Sequence, residues 1–429
     1  MLMNVYSCLD TGVFALLLAR LFEESRRMEI RNARVIESGQ HTARARLQAE
    51  ISYRSGQSES CWFEVDAARA GDLTLSGNPW LAAFLPVAAT LGEPLRVDRP
   101  IDALLLKNVK KLLTIWKEWY PKLSDVAVEC DTADSPLPPR DRTAVLFGGG
   151  VDSFFSLLSR EAPGLMDQPG RVDDLVTVCG FDVPLSHTED GDRIRSTRRA
   201  IAERLGKQHV DVWTNLRETA FRKPRWGQLS HGAALAAVGL MFERRYDSIL
   251  IPSTHRADHV VPWGSHPLTD RLFSTRDVRM VHDGSAYGRV EKTEHIARWD
   301  VALDTLRVCA YSRSADNCSE CVKCFRTMAT LDLLGVLSRA TTFEGDKYSV
   351  EKLATVYCSD DNEKSFLREL QAQAARRGRA DIARAIERAC GQSFRRRKWV
   401  ALGERMRGLP VLWRVGQAVE RTATAGHIR

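Results

Sequence analysis

The chain has 429 residues, a formal net charge of +7, and 44% apolar and 27% charged residues. That length allows two or three domains. The ordinary composition excludes a disordered or fibrous chain, and no apolar run is long enough to span a bilayer. The modest positive charge favours anionic ligands weakly, and ATP, a nucleotide-like substrate or RNA all fit it.

Residues 1–27 read as an N-terminal extension. Gly12 to Phe22 (GVFALLLARLF) has the apolar character of a signal peptide. No Lys or Arg precedes it and Asp10 is acidic, so the positive n-region is missing. An extra helix, or a start codon placed upstream of a fold that begins near Met28, accounts for it, and the expected location is the cytoplasm.

Residues 28–135 read as a small α+β accessory domain. His41 to Arg54 alternates strictly, with Ala43, Ala45, Leu47, Ala49, Ile51 and Tyr53 on one side. That is the period of a half-buried strand. Cys61 to Val65 predicts a second strand, and Trp80–Leu91 and Ile101–Trp119 predict helices. In the second helix Leu105, Val109, Leu112, Trp116 and Trp119 share a face, which assigns its tryptophans to core. No catalytic pattern stands out in this region. Asp131 to Arg142 (DTADSPLPPRDR) is Pro-rich and polar and reads as a linker.

From residue 140 to 335 strand, turn and helix repeat. Strands are expected at Thr143–Phe147, Leu175–Phe181, His209–Trp213 and Ser248–Pro252. Helices are expected from Asp152, over Ile194–Leu205 and over His231–Arg245. The alternation predicts an α/β fold, a Rossmann-like parallel sheet with helices on both faces. The first turn is Gly148-Gly149-Gly150-Val151-Asp152-Ser153. Glycines let backbone approach an anion. The unpaired N–H groups and dipole of a helix start favour negative charge. Ser153 adds a donor, and Asp152 is placed to hold Mg²⁺ or a substrate group. The loop lacks the Gly-Lys-Ser/Thr ending of a Walker A motif and the glycine spacing of a dinucleotide fingerprint.

Four of the ten cysteines, Cys309, Cys318, Cys321 and Cys324, fall in one stretch as C-x8-C-x2-C-x2-C. Four thiolates with close pairs suit a closed, structural zinc site. A four-iron cluster is the rival ligand of such a set. The last segment, 336–429, is helical and basic, with Arg395, Arg396, Arg397 and Lys398 in a run.

The glycine loop resembles the SGGxDS signature of PP-loop (N-type) ATP pyrophosphatases, with Gly148 in place of the first Ser. Loop and cysteine spacing together resemble the QueC-like branch, the 7-cyano-7-deazaguanine synthases, over residues 143–335. Glu291-Lys292-Thr293-Glu294-His295-Ile296 and Val308-Cys309-Ala310-Tyr311 resemble two further segments of that family. In its cysteine motif, Ser319 replaces a Gly and Lys323 is an added cation.

The resemblance implies the adenine nucleotide α-hydrolase-like (HUP) fold and chemistry with ATP, Mg²⁺ and Zn²⁺. A carboxylate such as 7-carboxy-7-deazaguanine is adenylated, pyrophosphate leaves into the loop, and ammonia or a protein amine takes the acyl group. Lys292 is expected to neutralise phosphate charge and Arg326 to face the site.

The family's Gly-Tyr-Pro-Asp-Cys-Arg substrate segment is matched only loosely, by Gly264-Ser265-His266-Pro267-Leu268-Thr269-Asp270-Arg271. Asp270, His266 and His255 are the candidate substrate residues. The added N-terminal domain and tail look closest to the QueC-like components of anti-phage systems such as Qat and CBASS, which implies a protein acceptor. A tRNA-modifying PP-loop enzyme that uses the tail to bind RNA is the alternative enzyme reading. The alternative of another class is a non-catalytic nucleotide-binding scaffold.

Overall fold

The structure is a computed structural model. It describes residues 27–391 apart from 38–42, 134–135, 162–169, 259–260, 310–313 and 359. The apolar segment at 12–22 and the basic run at 395–398 lie outside the described residues. Among the described residues no helix is long and apolar enough to cross a membrane.

Twelve strands are described. They are β1 (Met28–Glu37), β2 (Arg44–Ser52), β3 (Ser58–Asp66), β4 (Leu95–Val97), β5 (Ile101–Asp102) and β6 (Val128–Glu129). Then follow β7 (Thr132–Ala133), β8 (Thr143–Leu146), β9 (Asp174–Cys179), β10 (Gln208–Thr214), β11 (Ser248–Pro252) and β12 (Arg279–Asp283). Ten of them form one mixed, mostly parallel sheet in the order β12-β11-β8-β9-β10-β3-β2-β1-β4-β6. The helices of eight or more residues are α1 (Asn78–Leu91), α2 (Ala103–Trp119), α3 (Val151–Leu158), α4 (Thr188–Arg204) and α5 (His231–Leu240). They continue with α6 (Arg289–Ile296), α7 (Val322–Leu333), α8 (Asp361–Arg376) and α9 (Ala380–Cys390).

Alternation along the strands explains how the sheet is covered. In β8 and the residue after it, Ala144 and Leu146 enter one core while Val145 and Phe147 enter the other. Ile249 and Ile251 part from Leu250 in the same way. The first core contains α1, α2 and α5, and the second contains α3, α6, α7, α8 and α9. Both faces of the parallel half are therefore helix-covered, as apolar runs without alternation of polarity require. In β2 the pattern is one-sided. Ala45, Leu47, Ala49 and Ile51 are buried, and their neighbours are half-buried.

The expected boundary near residue 135 is not a break in the sheet. Strand β3 pairs antiparallel with β10, setting Glu64 beside Trp213 and Phe63 beside Thr214. One core runs from β1–β3 through to β11. Strand β12 was not foreseen, because in Arg279–Asp283 only Met280 and Val281 are apolar, too short a run to show a period. The expected helix over His231–Arg245 ends at Leu240. The tryptophan assignment holds for Trp116, which is buried 6.3 Å from the Phe273 ring. Helix α2 starts at Asp102, whose carboxylate accepts from the Leu104 and Leu105 amides.

The connections place the functional region. From β8 the chain moves through β9 to β10 on one side, then crosses to β11 and β12 on the other. The crevice beyond the carboxyl ends of β8 and β11 is thus a topological switch point, where open α/β sheets bind ligands.

Candidate anion site and metal centre

The glycine loop leaves β8 at this switch point and opens α3. Gly149 has φ +72, a left-handed conformation that a side chain disfavours. Its carbonyl accepts from the Arg307 amide at 2.9 Å. The Ser153 hydroxyl donates to the Gly150 carbonyl at 3.1 Å.

Cations converge on the loop from three helices. Arg198 of α4 is 8% exposed, and among the described residues its guanidinium donates to the Gly148 carbonyl alone. Lys292 of α6 is 1% exposed and donates to the Ser253 carbonyl at 2.6 Å and the Ser253 hydroxyl at 2.8 Å, just past β11. Arg289 reaches Asp152 at 3.0 Å, and the Lys292 ammonium lies 3.5 Å from the same carboxylate. Arg326 of α7 is buried, and its guanidinium makes no ion pair or hydrogen bond among the described residues. It lies 4.3 Å over the Phe366 ring, with an unpartnered Nε.

Electrostatics report the same excess. Burial, then Arg307, push the Arg198 guanidinium down to about 10. Burial, then Arg289, push Arg326 down to about 10. Burial lowers Lys292 despite Asp152, and lowers the half-buried Lys323, which also feels Arg326. A buried charge without a partner is costly. Arg198 and Arg326, which meet no carboxylate at ion-pair distance among the described residues, mark a place built for negative charge. Asp152 is already shared by two cations and is a weak candidate for direct Mg²⁺ ligation. Its position suits it to hold Arg289 and Lys292 in place.

Beside the loop lies a cavity of about 460 Å³. Gly148, Arg198 and Arg307 line it, as do Trp213, Trp62 and Arg44. Its size falls in the range of small-molecule sites, roughly 300–1,000 Å³.

The cysteine cluster is closed. The sulfurs of Cys309, Cys318, Cys321 and Cys324 all lie within 4.8 Å of one another. Cys309–Cys321 and Cys318–Cys324 are 3.9 Å apart and Cys321–Cys324 3.5 Å. Four sulfurs about 2.3 Å from one ion stand about 3.8 Å apart at tetrahedral corners. The set therefore fits a single tetrahedral ion, whereas four irons with one cysteine each hold their thiols farther apart. Ser319, where the resembled family has Gly, adopts φ +55. Its buried hydroxyl accepts from the Glu344 amide at 3.0 Å, which offsets part of that strain.

The structure separates the three substrate candidates. His255 stacks on Phe366 at 5.0 Å, the ring that also underlies Arg289 and Arg326, and so joins the cationic cluster. Asp270 and His266 lie elsewhere. The Asp270 carboxylate accepts from the Ser265 hydroxyl at 2.6 Å and the His266 amide at 3.1 Å, and pairs with His282 at 2.7 Å. The His266 Nδ1 accepts from the Leu268 amide at 3.0 Å, and its ring packs on Trp119 at 4.6 Å. These contacts are internal and do not reach the loop. Of the family-like Val308–Tyr311 segment, Ala310 and Tyr311 lie outside the described residues.

Sequence reasoning missed Arg198, Arg289, Arg307 and Phe366. Arg289 stands three residues before Lys292, one helical turn away, and was within reach of the same reading. Arg198 and Phe366 belong to no motif, and only the packing of α4 and α8 brings them in. Comparison of the chain with protein-family models, with curated proteins and with solved structures gives no match in any of the three.

Proposed function

We propose that the protein is an ATP-dependent carbon–nitrogen ligase that cleaves ATP between the α- and β-phosphates. The observation that supports this most is the convergence of Arg198, Lys292 and Arg326, all buried, on a glycine loop at a helix start. A carboxylate oxygen of a 7-carboxy-7-deazaguanine-like acid attacks the α-phosphorus, and the bond to the β-phosphate bridging oxygen breaks. Pyrophosphate leaves into the loop, held by backbone N–H groups and Ser153. Lys292 and Arg289, fixed by Asp152, neutralise the charge that builds on it. An amine nitrogen then attacks the acyl carbon, AMP departs, and the amine proton passes to solvent. Mg²⁺ enters as part of the ATP complex.

The chain's contribution is positioning and charge. Zinc on the four thiolates supplies no chemistry here and fixes the start of α7, which carries Arg326. A protein amine as acceptor, in an anti-phage setting, extends this reading. The test is incubation of the full chain with ATP, Mg²⁺ and 7-carboxy-7-deazaguanine, with ammonium as amine donor, followed by mass spectrometry. AMP and an amide of the acid are expected. Intact acid beside unconsumed ATP counts against it.

A further inference from the structure

We propose that strands β2 and β3, outside the region that resembles the ATP pyrophosphatases, form the wall that reads the nucleotide base, and that this wall selects a purine. The inference rests on the nucleotide reading above.

Register places the wall. Arg46 of β2 stands beside Glu64 of β3, and Glu64 beside Trp213 of β10. Arg44 and Trp62 lie two residues along their strands and so share the face. The opposite face, with Ala45, Leu47 and Phe63, goes into the core. In the parallel half of the sheet the equivalent face is covered by helices, whereas here it borders the cavity that Gly148 and Arg198 also line. The cavity therefore reaches the first residue of the glycine loop.

The chemistry of the wall suits a flat, uncharged ring. The Arg44 guanidinium carbon lies 3.8 Å over the Trp213 ring and that of Arg46 lies 4.5 Å over Trp62. Both arginines are anchored to Glu64, at 3.2 and 2.6 Å, yet stay about a third exposed. Anchored guanidinium planes are platforms on which bases stack. The two arginines are two residues apart on one strand, roughly 6.6 Å. That is wider than a six-membered ring, so a bicyclic base covers more of the paired platform than a monocyclic one.

The experiment is isothermal titration of the full chain with ATP, CTP and inorganic pyrophosphate, each with Mg²⁺. The variants are Arg44→Lys and the double change Arg44→Lys with Arg46→Lys. Lysine keeps the charge opposite Glu64 and removes the plane. Wild type should bind ATP about 5- to 100-fold more tightly than CTP, the range of one to two stacking contacts. The double variant should lose that preference and bind pyrophosphate as wild type does. If it melts early, the single variant, with part of the loss, serves. The proposal is overturned if wild type binds ATP and CTP alike, or if the variants keep the ATP preference. A wild type that binds neither ATP nor pyrophosphate overturns the nucleotide reading itself, and this inference with it.

Discussion

Helix α7 carries two clusters of opposite character within two turns. Cys321, at its cap, and Cys324 belong to a closed set, in which each sulfur has sulfur neighbours at single-ion spacing. Lys323 and Arg326, interleaved with them, belong to an open set of cations with too few carboxylates. The Asp270–His282–Ser265 group elsewhere in the molecule is closed in the same sense as the thiols. Burial and polarity alone do not separate site from scaffold, since all three groups are polar and buried or half-buried. What separates them is whether the chain satisfies its own groups. Closed clusters should answer to stability measurements, and the open one to ligand and rate.

The largest effect is expected at the thiols. Metal analysis should find one zinc per chain without stoichiometric iron. Cys321→Ser should lose the metal and much of the order around α7, since structural zinc sites contribute on the order of 10 kcal/mol to small modules. A Cys321→Ser protein that melts like wild type would mean that the thiols hold nothing.

Asp152→Asn tests the open cluster. It frees Arg289 and weakens the hold on Lys292, which keeps its two Ser253 partners. Pyrophosphate release should fall roughly 30- to 1,000-fold, the effect of about 2–4 kcal/mol in the transition state. The ligand-free melting temperature should stay near wild type, while the stabilisation that ATP–Mg²⁺ gives by mass action should largely vanish. Equal rates with altered melting would place Asp152 among the closed groups.

Asp270→Asn should do the opposite. Three donors converge on that carboxylate, and mismatching one of them costs about 1–3 kcal/mol. Denaturant titration should show the loss, and ATP affinity should not change. A change in substrate affinity at unchanged stability would return Asp270 to the substrate site.

At neutral pH the smallest effect comes from two buried histidines, which act only as the medium is acidified. Burial, then Arg199, push His209 down to about 4, and burial, then His282, push His266 to about 4. The unfolded chain protonates both near pH 6.5 while the folded chain does not. Stability should therefore fall as pH drops from about 6.5 toward 4, by at most about 1.4 kcal/mol per pH unit for each histidine. Replacing either by Asn should flatten that slope in denaturant titrations.

The elements legible in the sequence were those with a strong period or a motif. Strict alternation found β2, apolar runs found β8 to β11, and the glycine and cysteine spacings found the loop and the metal set. Strand β12 escaped because its neighbour and an aspartate–arginine pair, Asp283 with Arg160 at 2.6 Å, hold it more than apolar burial does. The join of β3 to β10 escaped because edge pairing leaves no local signature. In the site, Lys292 and Arg326 were reached through motif resemblance. Arg198 and Phe366 come from helices whose sequence position says nothing about the loop. Asp270 and His266 were chosen on a spacing like a family segment, which does not report the internal hydrogen bonds that the structure shows them making.

The central claim is that the open cluster receives pyrophosphate. The most direct measurement is phosphorus NMR of ATP turned over by the full chain with Mg²⁺ and 7-carboxy-7-deazaguanine. AMP and pyrophosphate resonances, growing together and suppressed by Asp152→Asn, are the predicted result. ADP and inorganic phosphate, or turnover unchanged in the variant, would contradict it.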